Sequence, residues 1–266
     1  MKYCSINGEI LTSIDSGDRG LAYGDGVFTT AKIKLGRVLL LKEHIERLTL
    51  GCQHLKIKGP SSAVLSKQLV NVASQFDTGV LKVIITSGAG GRGYSRHGLT
   101  ANSIHFIIMV FDFPVQYAQQ ALRGISLGIS EQKIAISPML AGIKHLNRLE
   151  QVLLREELDE RGEDDLIVRN VQDDVIEATS ANLFYWIDNK LYTPELGYSG
   201  VNGLIRQRII KSLDQVLVTK TTVADLQKAS AMFICNCIMG IMPVSSFNNK
   251  PLSIQAVIQL KSALKV

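Results

Sequence analysis

The sequence contains no run of about 18 apolar residues, so no segment reads as a transmembrane helix. Its opening, MKYCSINGEI, lacks the apolar core of a secretory signal, and a cytoplasmic location is the expectation. Cysteine is scarce. Cys4, Cys52, Cys235 and Cys237 match no zinc pattern. The Cys-Asn-Cys pair falls in an apolar stretch read as a strand, where both thiols share one face but are badly placed to bond each other. Reduced thiols follow. His44, His54, His97 and His105 show no ligand spacing either, so no metal site is expected. Lys and Arg number 29 against 24 Asp and Glu, but they are scattered. Without a basic run or an aromatic-interleaved stripe there is no surface for nucleic acid, and the excess implies weak attraction for small anions. Internal repeats and low-complexity tracts are missing as well.

What is present is ordinary globular material: 266 residues, 46% hydrophobic, enough for one large core or two modest ones. KYCSI, a turn at Asn7-Gly8, VFTTAKI and VLLL read as strands. From Lys42 the period changes, with Ile45, Leu48, Cys52 and Leu55 on one helix face, and a second helix is predicted over 62–75. VLKVIIT and SIHFIIMVF are β-branched strands. Residues 114–122 read as a linker between a smaller domain over 1–113 and a larger one over 123–266. The larger domain begins with a strand near 124–130. It continues with a helix over about 145–161 whose inner face is Leu146, Leu149 and Leu153. Strands LIVRN, VIEA, NLFYW and KLYT come next, then a helix over 203–215, strands VLVTK and MFICNC, and a C-terminal helix. Phe184, Tyr185 and Trp186 read as core. The fold class is α+β in two lobes.

GAGGRG at 88–93 has the spacing of a dinucleotide fingerprint. That fingerprint needs a helix directly behind it to hold the pyrophosphate, and the residues that follow carry no apolar period. A mobile glycine-rich loop between two strands fits better.

Six anchors run through the chain in order: GDGVF at 24–28, HIERL at 44–48, GIKHLNRLEQ at 142–151, VIEATSANLF at 175–184, GLIR at 203–206 and MPV at 242–244. Together they resemble the fold-type IV pyridoxal-phosphate enzymes, a family of branched-chain and D-amino-acid aminotransferases and of a lyase acting on 4-amino-4-deoxychorismate. GGRGYS at 90–95 and LAGIKHLNRLEQVL at 140–153 look closest to the lyase branch.

The resemblance implies a role for each anchor. Lys144 would form the Schiff base with pyridoxal 5'-phosphate and later serve as general acid and base, a task that desolvation of its amine favours. Gly142 would leave the backbone room to turn that side chain. Glu177 would pair with the pyridine nitrogen and raise its pKa by roughly 1–3 units. Arg47 would clamp the phosphate, with backbone N–H groups of Gly203, Leu204 and Ile205 at a helix start. Such a helix end is worth roughly 0.3–2 kcal/mol, so the arginine would be the main clamp. Aminotransferases commonly carry threonine where this chain has Ile205 and Cys237, so those cofactor contacts would be made by backbone only. They also tend to have tyrosine where this chain has Phe28, a difference that favours the lyase.

Under that resemblance the substrate is a dicarboxylate, and Arg92, with Tyr94 and Thr29 as hydrogen-bonding neighbours, is the candidate for its carboxylates. His145 could shuttle a proton or simply pack at a helix start. The reaction implied is elimination from 4-amino-4-deoxychorismate to 4-aminobenzoate and pyruvate, a step toward folate, with an aminotransferase as the alternative. A homodimer is implied as well.

Overall fold

A computed structural model describes residues 1–264, which group into two units. The first takes Met1–Pro114 together with Lys144–Asn147, and the second takes Val115–Ile143 and the chain from Arg148 onward.

In the first unit, strands β1 (Tyr3–Ile6), β2 (Gly26–Lys34), β3 (Arg37–Val38), β4 (Thr78–Thr86) and β5 (His105–Phe111) form an antiparallel sheet in the order β1-β5-β4-β2-β3. Strict alternation separates its faces. Val27, Thr29, Ala31 and Ile33 of β2 are buried with Leu81, Val83 and Ile85 of β4, whereas Phe28, Thr30 and Lys32 are only half-buried. The short helix α1 (Arg19–Tyr23) precedes β2. Helices α2 (Leu41–His54) and α3 (Ser62–Ala73) cover the buried face. Leu48, Leu65 and Leu69 are fully enclosed. Each such leucine contributes about 1.5–3 kcal/mol relative to exposure. The strand expected at 38–41 shrinks to Arg37–Val38, because Leu40 adopts a left-handed conformation (φ 56°) and turns the chain straight into α2.

The second unit holds α4 (Gln116–Arg123), β6 (Ile125–Ile134), α5 (Leu149–Asp159), β7 (Asp165–Asn170), β8 (Val175–Ala178), β9 (Asn182–Ile187), β10 (Lys190–Pro194), α6 (Leu204–Ser212), β11 (Val216–Thr219), α7 (Val223–Lys228), β12 (Ala231–Asn236), β13 (Gly240–Phe247), β14 (Lys250–Pro251) and α8 (Gln255–Leu264). Its mixed sheet runs β11-β10-β9-β12-β13-β6-β7-β8, with β14 on β13. Leu127, Ile167, Leu183, Tyr185, Met232 and Val244 lie at its core. Phe184 is buried and stacked on Phe233, while Trp186 is half-buried. No helix among the described residues is long and apolar enough to cross a membrane.

Three expectations need correction. The segment 114–122, read as a linker, begins where the two units divide but folds as α4 of the second unit, because Tyr117 and Ala121, one turn apart, pack onto the second core. The residues around Lys144 do not start a helix, nor do they group with the larger C-terminal unit. They pair with the start of β2 instead, through a His145–Val27 bridge, Phe28 N–H to Lys144 O (2.9 Å) and Leu146 N–H to Gly26 O (3.0 Å). Helix α5 consequently begins at Leu149 and buries Leu154 and Leu158, leaving Leu149 and Leu153 exposed.

Candidate active site

Extended pairing beside β2 decides where Lys144 points. Its Nζ lies over the ring of Phe28, 4.4 Å from the centroid. The same ring carries Lys82 Nζ at 5.6 Å, contributed by β4. An aromatic face attracts a cation by roughly 0.5–2 kcal/mol, and Phe28 is therefore a shared platform for two amines. Lys82 has no carboxylate partner among the described residues. Its sequence signal was a lone charge in the apolar strand VLKVIIT.

Thr29 behaves differently from the expectation. As the next residue in β2 it faces the core, fully buried, with its hydroxyl 2.6 Å from His44 Nδ1. With no exposed surface it is unavailable to a substrate. His44 itself is enclosed, and its Nε2 is without a hydrogen-bond partner. Burial, reinforced by the positive charges of Arg47 and Lys144, pushes its imidazole pKa down to about 3. A neutral histidine thus sits among cations. Arg47 follows it by three residues on α2 and is half-buried. His145 is buried, and its Nδ1 accepts the Asn147 N–H at 3.2 Å.

The glycine-rich loop is pinned rather than loose. Arg19, 3% exposed, donates to the carbonyls of Gly93 (2.9 Å), Tyr94 (2.8 Å) and Ser95 (3.3 Å) and to Asp25 Oδ2 (2.8 Å). Arg96 pairs with the same Asp25 and reaches Leu55 O. Burial alone would raise the Asp25 carboxyl, but Arg96 and Arg19 together hold it below its ordinary range. Arg92 and Tyr94 stand exposed on this loop, Tyr94 with its ring edge against Tyr23.

In the second unit an asparagine that sequence reasoning passed over organises the rest. Asn182 opens β9, an unusual residue for a strand and the one clue available in VIEATSANLF. Its Nδ2 donates to Glu177 Oε2 (3.2 Å) and to Val201 O (2.8 Å), while its Oδ1 accepts the Gly203 N–H (3.0 Å). Val201 N–H also donates to Glu177 Oε2, at 3.1 Å. A Cβ on Gly203 would run into Asn182 Oδ1, so the approach demands glycine. Just before Lys144, Gly142 (φ 78°) exchanges backbone hydrogen bonds with Gly200 and Asn202, tying that turn to the same loop. Asp165 Oδ1 accepts the N–H and hydroxyl of Thr179 (3.1 and 2.6 Å), which fixes the turn behind Glu177.

Helix α6 starts at Leu204 with no side chain capping it, and Leu204 and Ile205 are both buried there. A buried helix end without a cap is a place for an anion. Arg206 anchors its first turn through Thr193, Pro194 and Asn202. Cys237 is half-buried in the turn after β12, a turn shaped by Asn236 Oδ1 accepting the N–H groups of Ile238 and Met239. The expected residues therefore divide: Lys144, Arg47, Thr29, Arg92 and Tyr94 belong to the first unit, and Glu177, Gly203, Leu204, Ile205 and Cys237 to the second.

Residues 26–247 match the amino-transferase class IV family. The chain belongs to it. Class IV enzymes depend on pyridoxal phosphate, and this one is no exception. Aminodeoxychorismate lyase of Vibrio harveyi is 37% identical over 247 residues, 91% of this chain and 90% of that protein. D-alanine aminotransferase of Bacillus licheniformis is 25% identical over 90% of this chain and 84% of its own. Among solved structures, 4-amino-4-deoxychorismate lyase from Pseudomonas aeruginosa superposes with a TM-score of 0.92 at 31% identity, covering 98% of both chains. A hypothetical aminotransferase from Mycobacterium tuberculosis in its PLP-bound form, at 19% identity and a TM-score of 0.85 over 98% of this chain and 96% of that one, shares the fold. Taken unit by unit, the residue types are ones the cofactor can use: the second unit has an uncapped buried helix start and a buried carboxylate, and the first has the Lys144 amine.

Proposed function

We propose that the enzyme is an aminodeoxychorismate lyase, which releases 4-aminobenzoate and pyruvate from 4-amino-4-deoxychorismate and so serves folate synthesis. The 37% identity to the Vibrio harveyi lyase across nine-tenths of both chains carries this reading. Phe28 supports it, since aminotransferases of the family tend to place a phenol there.

When bound, pyridoxal phosphate supplies an aldehyde for an amine and a protonated ring that accepts charge from the neighbouring carbon. The chain's residues do the rest. Glu177, which accepts from Asn182 and Val201, would keep the ring nitrogen protonated. Arg47 of the first unit would clamp the phosphate, and the N–H groups at Gly203, Leu204 and Ile205, with the Cys237 backbone, are what the second unit would offer it. Lys144 Nζ takes the proton from the amine-bearing ring carbon of the substrate and returns a proton to the departing enolpyruvyl oxygen. Loss of that C–H and C–O bond makes the six-membered ring aromatic. Lys82 and Arg92 receive the two carboxylates, and Tyr94 adds a hydroxyl. Lys82 is the better placed of the two, because it stands on the Phe28 ring beside Lys144 and has no carboxylate partner among the described residues.

The enzyme works as a homodimer in the cytoplasm. Leu149, Val152 and Leu153 leave an apolar stripe along α5, 71%, 59% and 49% exposed, that a second copy would cover. Cys4, Cys52 and Cys235 are thiols in no disulfide, which suits a reducing compartment.

The deciding experiment adds 4-amino-4-deoxychorismate to the purified holoenzyme and measures pyruvate. Stoichiometric release of pyruvate and 4-aminobenzoate is expected. No pyruvate, together with amino transfer from D-alanine or L-leucine to a keto acid, replaces the lyase with an aminotransferase.

A further inference from the structure

We propose that Arg19 is a positioning residue that presets the substrate loop, so that Arg92 and Tyr94 are presented before substrate arrives rather than carried in by a closing lid. The inference rests on the reading above only in assigning Arg92 and Tyr94 to the substrate.

Three consecutive carbonyls, those of Gly93, Tyr94 and Ser95, accept from one guanidinium, and its remaining arm is held by Asp25. Five donors in a rigid plane can fix a backbone this way; a lysine's point charge cannot. The grip is reinforced from both sides. Tyr23 Oη accepts the Gly93 N–H at 3.2 Å, and the Tyr23 ring contacts both the Arg19 guanidinium (4.9 Å) and the Tyr94 ring (5.3 Å). Arg96, two residues beyond Tyr94, shares Asp25 with Arg19 and hooks the far end of the loop to Leu55 O. Asp25 in turn begins the strand pairing that leads to Phe28, since its carbonyl accepts the Ser87 N–H at 3.0 Å. One buried carboxylate therefore aligns the loop with the strand that carries the Phe28 platform. Gly91, Gly93 and Gly98 would otherwise give this segment wide freedom, and a Cβ at any of them would meet nothing. A loop with that composition stays ordered because its carbonyls are held.

The test uses trypsin on the holoenzyme without substrate. Arg92 is exposed, yet the bond after it resists cleavage while Arg19 holds the next carbonyls, since cutting follows the population of the opened loop. Arg19→Gln is expected to speed nicking after Arg92 by roughly tenfold or more, with cofactor absorbance retained. For pyruvate release the same variant should raise KM by roughly tenfold while kcat changes less than about threefold. Arg19→Lys should behave like Arg19→Gln, because charge without the fork does not restore the grip. Unchanged nicking in Arg19→Gln overturns the proposal, as does a loss confined to kcat. If Arg19→Gln does not accumulate folded, Tyr23→Phe serves, with nicking raised about threefold; no rise there is equally fatal. Nicking is read without turnover, so a wild-type enzyme releasing no pyruvate would sink the lyase reading and leave the loop result standing.

Discussion

Asn182 joins Glu177 to Gly203 through a single amide, donating to the carboxylate at 3.2 Å and accepting the glycine N–H at 3.0 Å. The acid proposed to face the ring nitrogen and the helix start proposed to face the phosphate are thus held in one register. Asn182→Ala should loosen both. Each hydrogen bond to a charged group is worth about 1.5–3 kcal/mol, so cofactor affinity is expected to fall roughly 10- to 100-fold. Titration of the apoenzyme with pyridoxal phosphate, followed by absorbance, measures it; unchanged affinity would remove Asn182 from the site.

Lys144→Ala should lower pyruvate release by roughly a hundredfold to ten-thousandfold, the range that a positioned acid–base group supplies. Borohydride reduction should attach the cofactor to wild-type protein at residue 144 and leave the variant unlabelled. Peptide mapping that finds the label on another lysine would move the reaction elsewhere.

Lys82→Met removes a half-buried cation while keeping the length of the side chain. We expect KM for the dicarboxylate to rise roughly tenfold or more, with kcat affected less and Lys82→Arg recovering most of the loss. Binding of 4-aminobenzoate and its neutral amide gives a second measure. Wild type should prefer the acid, and Lys82→Met should lose that preference.

His44 predicts a pH dependence of stability. Its folded pKa, near 3, lies below the unfolded value of about 6.5, so between these two the unfolded chain binds a proton that the folded chain refuses. Stability contributed by the neutral imidazole is complete above the unfolded pKa. It falls by about 1.4 kcal/mol for each pH unit as acid is added through that window. Urea unfolding of wild type and His44→Gln at pH 7 and pH 5 isolates the term, because the variant should lose less stability between the two. Equal slopes would mean that His44 takes up a proton in the folded state.

The α5 stripe makes the oligomer accessible to the same kind of test. Leu149→Glu with Leu153→Glu should convert a dimer seen by sedimentation into a monomer, since two charges cannot be buried against an apolar partner.

Much of this enzyme was legible in the chain alone. β-branched runs bounded by turns announced the strands of the first sheet, and a three- and four-residue spacing announced α2 and α3, because both signals are local in the chain. The anchors around Lys144, Glu177, Arg47 and Gly203 pointed to the cofactor, since a cofactor's chemistry restricts residue types at fixed places. Other features could only be decided by tertiary structure. Thr29 was assigned to the substrate, but the parity of β2 turned it to the core, where His44 holds it. The residues beside Lys144 look helical in sequence, yet hydrogen bonding to Gly26 and Phe28 drew them into an extended pairing. Asn182 and Asp25 passed unnoticed because each acts on groups far along the chain, and the partners of a polar side chain are set by packing, which no local pattern records.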